Sequence, residues 1–145
     1  QAVQAVPQNY FELPVWVEGG RQYRLWIRGK ADGNYHKNDS VYVQFSGSVN
    51  GSGTPIYRIG TTSAAAVEIS ECSSCGLTAW GWQDNATGRD TLGPMIRFDK
   101  TGFQTVRVQT LEDGLSIDQI VLSPSTYLTQ APGAKKGDAT ILPES

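Results

Sequence analysis

Histidine, cysteine and methionine are almost missing from this chain, which has one His, two Cys and one Met among 145 residues. The lone histidine, His36, has no obvious serine or cysteine to activate, so nucleophilic catalysis with a histidine base has no clear constellation. Zinc held by Cys72 and Cys75 would need two further ligands, and His36 is the only other residue of the soft-ligand type. No apolar run approaches the roughly 18 residues that span a bilayer as a helix. The opening QAVQAVPQNY lacks the charged and apolar regions of an export signal, so a signal is expected to have been removed or to lie outside this stretch. Nor is there a basic stripe: 12 Lys and Arg stand against 14 Asp and Glu, for a net charge of −2. Such a balance makes nucleic acid and membrane poor candidates as partners. No glycine-rich phosphate loop follows a strand-like segment.

What is abundant is the vocabulary of turns and strands. Glycine occurs 16 times, charged residues make up only 18% and hydrophobic residues 39%, the balance of a turn-rich β protein. The length suits one domain with a single core. Tyr23 to Arg28 alternates, with Tyr23, Leu25 and Ile27 on one face and Arg24, Trp26 and Arg28 on the other, which predicts a half-buried strand. Ser40 to Ser46 repeats the pattern, Val41, Val43 and Phe45 facing inward and Tyr42 and Gln44 outward. In Gln104 to Leu111, Val106 and Val108 oppose Thr105, Arg107 and Gln109. Weaker strands are expected at Phe11–Val17, Ile56–Ile59, Ala65–Ser70, Met95–Phe98 and Leu115–Leu122, divided by Gly, Asn, Asp and Ser. About eight strands without helices predict an all-β fold, an antiparallel β-sandwich of the jelly-roll type, over residues 1–131. Residues 132–145 read as a linker-like tail. The long connections fall at Lys30–Asp39, Gly47–Pro55 and Glu71–Pro94, and loops of that length in a compact domain tend to carry function.

Cys72 and Cys75 lie in ECSSCGL. A local disulfide stapling a surface loop is the simplest reading; a redox pair would need a βαβ setting, and no helix pattern surrounds them. A disulfide implies an oxidising compartment and therefore a secreted, extracellular protein. Three Asn-x-Ser/Thr sequons, at Asn38, Asn50 and Asn85, fall in expected loops.

The stretches GGRQYRLWIRGKA, DSVYVQF, TAWGWQDN and TGFQTVRVQTLEDGLSIDQIVL occur in an order that resembles the galactose-binding-like β-sandwiches, particularly carbohydrate-binding module families 6 and 35. The resemblance covers Gly19 to Leu122. It implies a non-catalytic module that binds a polysaccharide or oligosaccharide, expected as a monomer appended to a catalytic module whose substrate it targets. It also implies a loop-end site composed of Tyr35, Trp80 or Trp82, and one of Asp113 or Ser116. A structural calcium ion is implied as a candidate cofactor, with Asp118 matching the family's aspartate and Glu12 as its partner. The chain departs from the family in lacking an opening Glu-rich strand.

Residue chemistry points the same way. Sugars offer C–H faces to aromatic rings and hydroxyls to amides, carboxylates and guanidinium groups. WGWQDN supplies both kinds: Trp80 and Trp82 on one side of an extended segment, followed by Gln83, Asp84 and Asn85. Glu112 and Asp113 stand in the turn before the last strand and His36 beside Tyr35. A rival site is the outer face of the sheet, where Trp26, Arg28, Tyr42, Gln44, Arg107 and Gln109 would form a platform if their strands were neighbours. Two alternative classes remain at this point: an extracellular adhesion or structural sandwich without a small ligand, and a glycoside-active enzyme with a carboxylate pair such as Asp84 with Asp113 or Glu112.

Overall fold

The computed structural model describes residues 2–31, 40–68, 80–86, 91–110 and 115–133. Nine strands occur among them and no helix: β1 (Tyr10–Val17), β2 (Gln22–Ala31), β3 (Ser40–Phe45), β4 (Ser48–Val49), β5 (Ala65–Glu68), β6 (Gly81–Gln83), β7 (Ile96–Phe98), β8 (Gly102–Thr110) and β9 (Leu115–Ser123). They form two antiparallel sheets, and the fold is a β-sandwich. One sheet has the order β1-β8-β3-β5; in the other, β2 is hydrogen-bonded to β6, β7 and β9, and β4 pairs with β7.

Alternation in the sequence dictates which side chains meet between the sheets, because successive residues of a strand face opposite ways. Leu25 and Ile27 of β2 meet Val41, Val43 and Phe45 of β3 and Val106 and Val108 of β8 in the core. Each such burial contributes about 1.5–3 kcal/mol. Phe98 on β7 joins the layers, lying edge-to-face with Phe45 at 5.5 Å and with Tyr23 at 5.7 Å.

Departures from the expected strands have local causes. Ile56–Ile59 is not a strand but makes one isolated bridge, Phe45↔Arg58, with a second just before it at Val49↔Pro55. Its extended run is broken at Tyr57, whose φ of 53° is in the left-handed region. β4 and β6 are too short, at two and three residues, for alternation to reveal them. Between Arg28 and Gly29 the β2–β9 register skips Asp118, a bulge that turns this carboxylate toward Arg28.

Two segments lie over the outer faces. Residues 124–133 cross the five-stranded sheet, where the Trp26 indole donates to Tyr127 O at 2.7 Å, the Trp82 indole to Gly133 O at 2.5 Å and Arg24 Nε to Leu128 O at 2.9 Å. Trp26, Trp82 and Val121 thereby form a second buried apolar cluster with Tyr127 packed on it. On the other sheet, the Gln109 amide accepts from Gln4 N–H and donates to Gln4 O, fastening the N-terminal segment.

Candidate functional site at the open end of the sandwich

The WGWQDN cluster divides in two. Trp80 is 39% exposed, with the Arg28 guanidinium 5.3 Å from its ring centre. Trp82, Gln83, Asp84 and Asn85 are all buried. Asp84 is a structural hub: it accepts from Gly93 N–H at 2.7 Å, Ala86 N–H at 3.1 Å, the Gln83 amide at 3.2 Å and Arg24 at 3.3 Å. Arg24 also donates to the Gly93 carbonyl, so a buried ion pair closes the 84–93 connection onto β2. The approach there is close: a Cβ at Gly93 would stand 2.4 Å from Asn85 O. Asn85 itself donates to Pro94 O, so the side chain of that sequon serves the same closure, whereas Asn50 is in an exposed turn.

The sheet-face platform expected from the sequence is not assembled. Trp26 and Arg28 belong to β2, whereas Tyr42, Gln44, Arg107 and Gln109 belong to β3 and β8 of the opposite sheet, so the two sets occupy different faces of the sandwich. Trp26 is covered by the 124–133 segment. Gln44 does point outward as its parity requires, yet it is fully buried, its amide donating to Arg58 O, Thr61 O and Ser63 O and accepting from Gln109. Tyr42 is half-buried beside it.

A different convergence is present. The register pairs Ala31 with Leu115, Val41 with Thr110, Ser40 with Glu68, Gly29 with Gly81 and Tyr10 with Gln109, so these strand ends share one end of the sandwich. At that end is a cavity of about 440 Å³, lined by Gln8, Asn9, Tyr10, Phe11, Val41, Val108, Gln109, Thr110, Leu115 and Ile117. Tyr10 and Phe11 are 48% and 44% exposed, and the Arg107 guanidinium stacks 4.4 Å from the Tyr10 ring centre. The lining residues therefore include aromatic, apolar and amide-bearing side chains. Tyr35, His36, Cys72, Cys75, Glu112 and Asp113 lie outside the described residues.

No family model, no curated protein and no solved structure matches the chain. The sequence motifs, the fold and the surface chemistry are accordingly what a functional reading rests on.

The two residues expected to hold calcium are not brought together. Glu12, on β1, accepts from Arg107 at 2.7 Å, and Asp118, on β9 in the other sheet, is held by Arg28. Among the described residues no group of three or more His, Cys, Asp or Glu side chains is placed to hold a metal.

Sequence reasoning missed Trp16 and Phe103. They are Cα partners across β1 and β8, 58% and 75% exposed, with ring centres 5.3 Å apart at 85°. The signal was available: in YFELPVWV, Trp16 has the parity of Glu12, which assigns it to the outer face.

Proposed function

We propose that this chain is a non-catalytic carbohydrate-binding module whose ligand docks at the open end of the sandwich, targeting a linked enzyme to its glycan. The observation that carries this reading is the cavity there, in which Tyr10 and Phe11 stand beside Gln8, Asn9 and Thr110. Rings suit the C–H faces of a pyranose, and amides and hydroxyls suit its hydroxyls. Trp80 is assigned to the rim by this reading. Trp82, Gln83 and Asp84 are assigned to the scaffold, given their burial and hydrogen bonding. Binding is favoured over hydrolysis because, among the described residues, Glu12, Asp84, Asp99 and Asp118 are each engaged by an arginine.

Affinity electrophoresis in gels containing xylan, β-1,4-glucan or galactan tests the reading. Retardation by at least one of them is expected, weakened fivefold or more by Phe11→Ala, since truncating an aromatic contact costs about 1–2 kcal/mol. Unchanged mobility in every gel would overturn it.

A further inference from the structure

We infer that the outer face of β1 and β8 is a binding ridge for an extended, neutral glycan chain, which enters at the cavity and ends on Trp16 and Phe103. The inference rests on the carbohydrate-binding reading and deepens it, because it requires a polymer rather than a short sugar.

The ridge is continuous with the cavity. Tyr10 lines the cavity and heads the outward row of β1, which continues through Glu12 and Pro14 to Trp16. From Tyr10 to Trp16 is six residues, about 20 Å of strand. The opposing row of β8 presents Arg107, Thr105 and Phe103 in register with Glu12, Pro14 and Trp16. Rings thus stand at both ends, with a hydroxyl and an ion pair between them, the alternation of apolar and polar contacts that a sugar chain presents to a surface.

The exposure of the far end calls for an occupant. Trp16 and Phe103 form a contiguous aromatic corner on rigid, paired strands, whereas scattered single exposed apolar residues are ordinary. Val15, Val17 and Val106 of the same strands are buried beneath them, which fixes the rings' direction. Strand addition by another protein is disfavoured, because β1 is an edge strand interrupted by Pro14 and carrying Glu12, features that blunt edge pairing. Charge favours a neutral chain. Arg107 is neutralised by Glu12 at 2.7 Å and stacked on Tyr10, so a uronate would displace Glu12 or face its carboxylate.

Isothermal titration with mono-, di- and hexasaccharides of xylan, β-1,4-glucan and galactan tests the ridge. The double variant Trp16→Thr/Phe103→Thr keeps strand propensity at two surface positions, with Phe103→Thr alone as the milder change and thermal melting as the check on folding. For the intact chain, affinity is expected to rise from di- to hexasaccharide. The double variant should lose about tenfold for the hexasaccharide and nothing for the disaccharide, as expected on removing buried aromatic contacts. Phe11→Ala should weaken both ligands. Disaccharide binding that gains nothing with length, or a hexasaccharide affinity unmoved by the double variant, overturns the ridge and leaves the cavity reading standing. Absence of binding to any of these sugars overturns both. Concentration-dependent dimerisation in sedimentation that the double variant abolishes would show a self-association face instead and overturn the ridge.

Discussion

Replacing Asp84 with alanine separates the two roles this residue has been given, ligand contact from its sequence motif and scaffold from its surroundings. Its carboxylate is completely buried and accepts two backbone N–H groups, one side-chain amide and the Arg24 guanidinium. Arg24 is itself only 7% exposed. Removing the acid leaves a buried cation without its counter-charge, a change that costs about 3–5 kcal/mol, and orphans the amides of Ala86 and Gly93. For a chain of this size 1 kcal/mol lowers Tm by about 3 °C, so Asp84→Ala should melt about 9–15 °C below the parent. Urea denaturation should report the same loss as a lower midpoint with similar slope. Exchanging both partners for apolar residues, as in Arg24→Met/Asp84→Leu, should recover part of it because no unpaired charge remains. The reasoning is refuted if Asp84→Ala melts within about 2 °C of the parent, less than 1 kcal/mol on this scale, while glycan retardation disappears. That result would return Asp84 to the ligand.

Other outcomes follow from the same geometry. Gln44→Leu removes donors to Arg58 O, Thr61 O and Ser63 O and should cost about 2–3 kcal/mol, with faster tryptic cleavage after Arg58 as the 54–64 segment loosens. Gly93→Ala, which sets a Cβ 2.4 Å from Asn85 O, should destabilise by about 1–3 kcal/mol in a urea melt. Burial raises the Tyr57 phenol above its ordinary value, so the folded state holds this proton more tightly than the unfolded chain does. Its contribution is therefore fully present below about pH 10, the value for an unfolded tyrosine, and falls as pH rises through the higher folded value. Tyr57→Phe should flatten that alkaline slope in a pH series of melts.

Much of the architecture could be read from alternation alone. β2, β3 and β8 are long enough for their period of two to name the inward residues, and Leu25, Ile27, Val43 and Val106 are indeed fully buried. Parity, however, says only which face a side chain takes. Gln44 and Trp26 face outward and are nonetheless covered, by residues 58–63 and 124–133 respectively, contacts between segments distant in sequence that no local pattern encodes. The same limit applies to the platform: whether two strands share a sheet depends on topology, and β2 went to one layer while β3 and β8 went to the other. At WGWQDN, composition suggested a ligand site, but the desolvated partners of Asp84 come from Arg24 and Gly93, 60 and 9 residues away. Trp16 and Phe103 were overlooked because parity assigns a ring to the outer face without saying whether another segment covers it there, and these two are left exposed.

The 124–133 segment is gripped in part through its main-chain carbonyls at Tyr127, Leu128 and Gly133, by Trp26, Arg24 and Trp82, with the Tyr127 ring packed on the Trp26 and Trp82 cluster. Tension arriving from the C-terminal side therefore meets Gly133 first and then Leu128 and Tyr127, parting the bonds in turn, as a zipper opens, instead of loading them together. The segment therefore parts from the sheet one contact at a time, while the two sheets keep their own strand pairings.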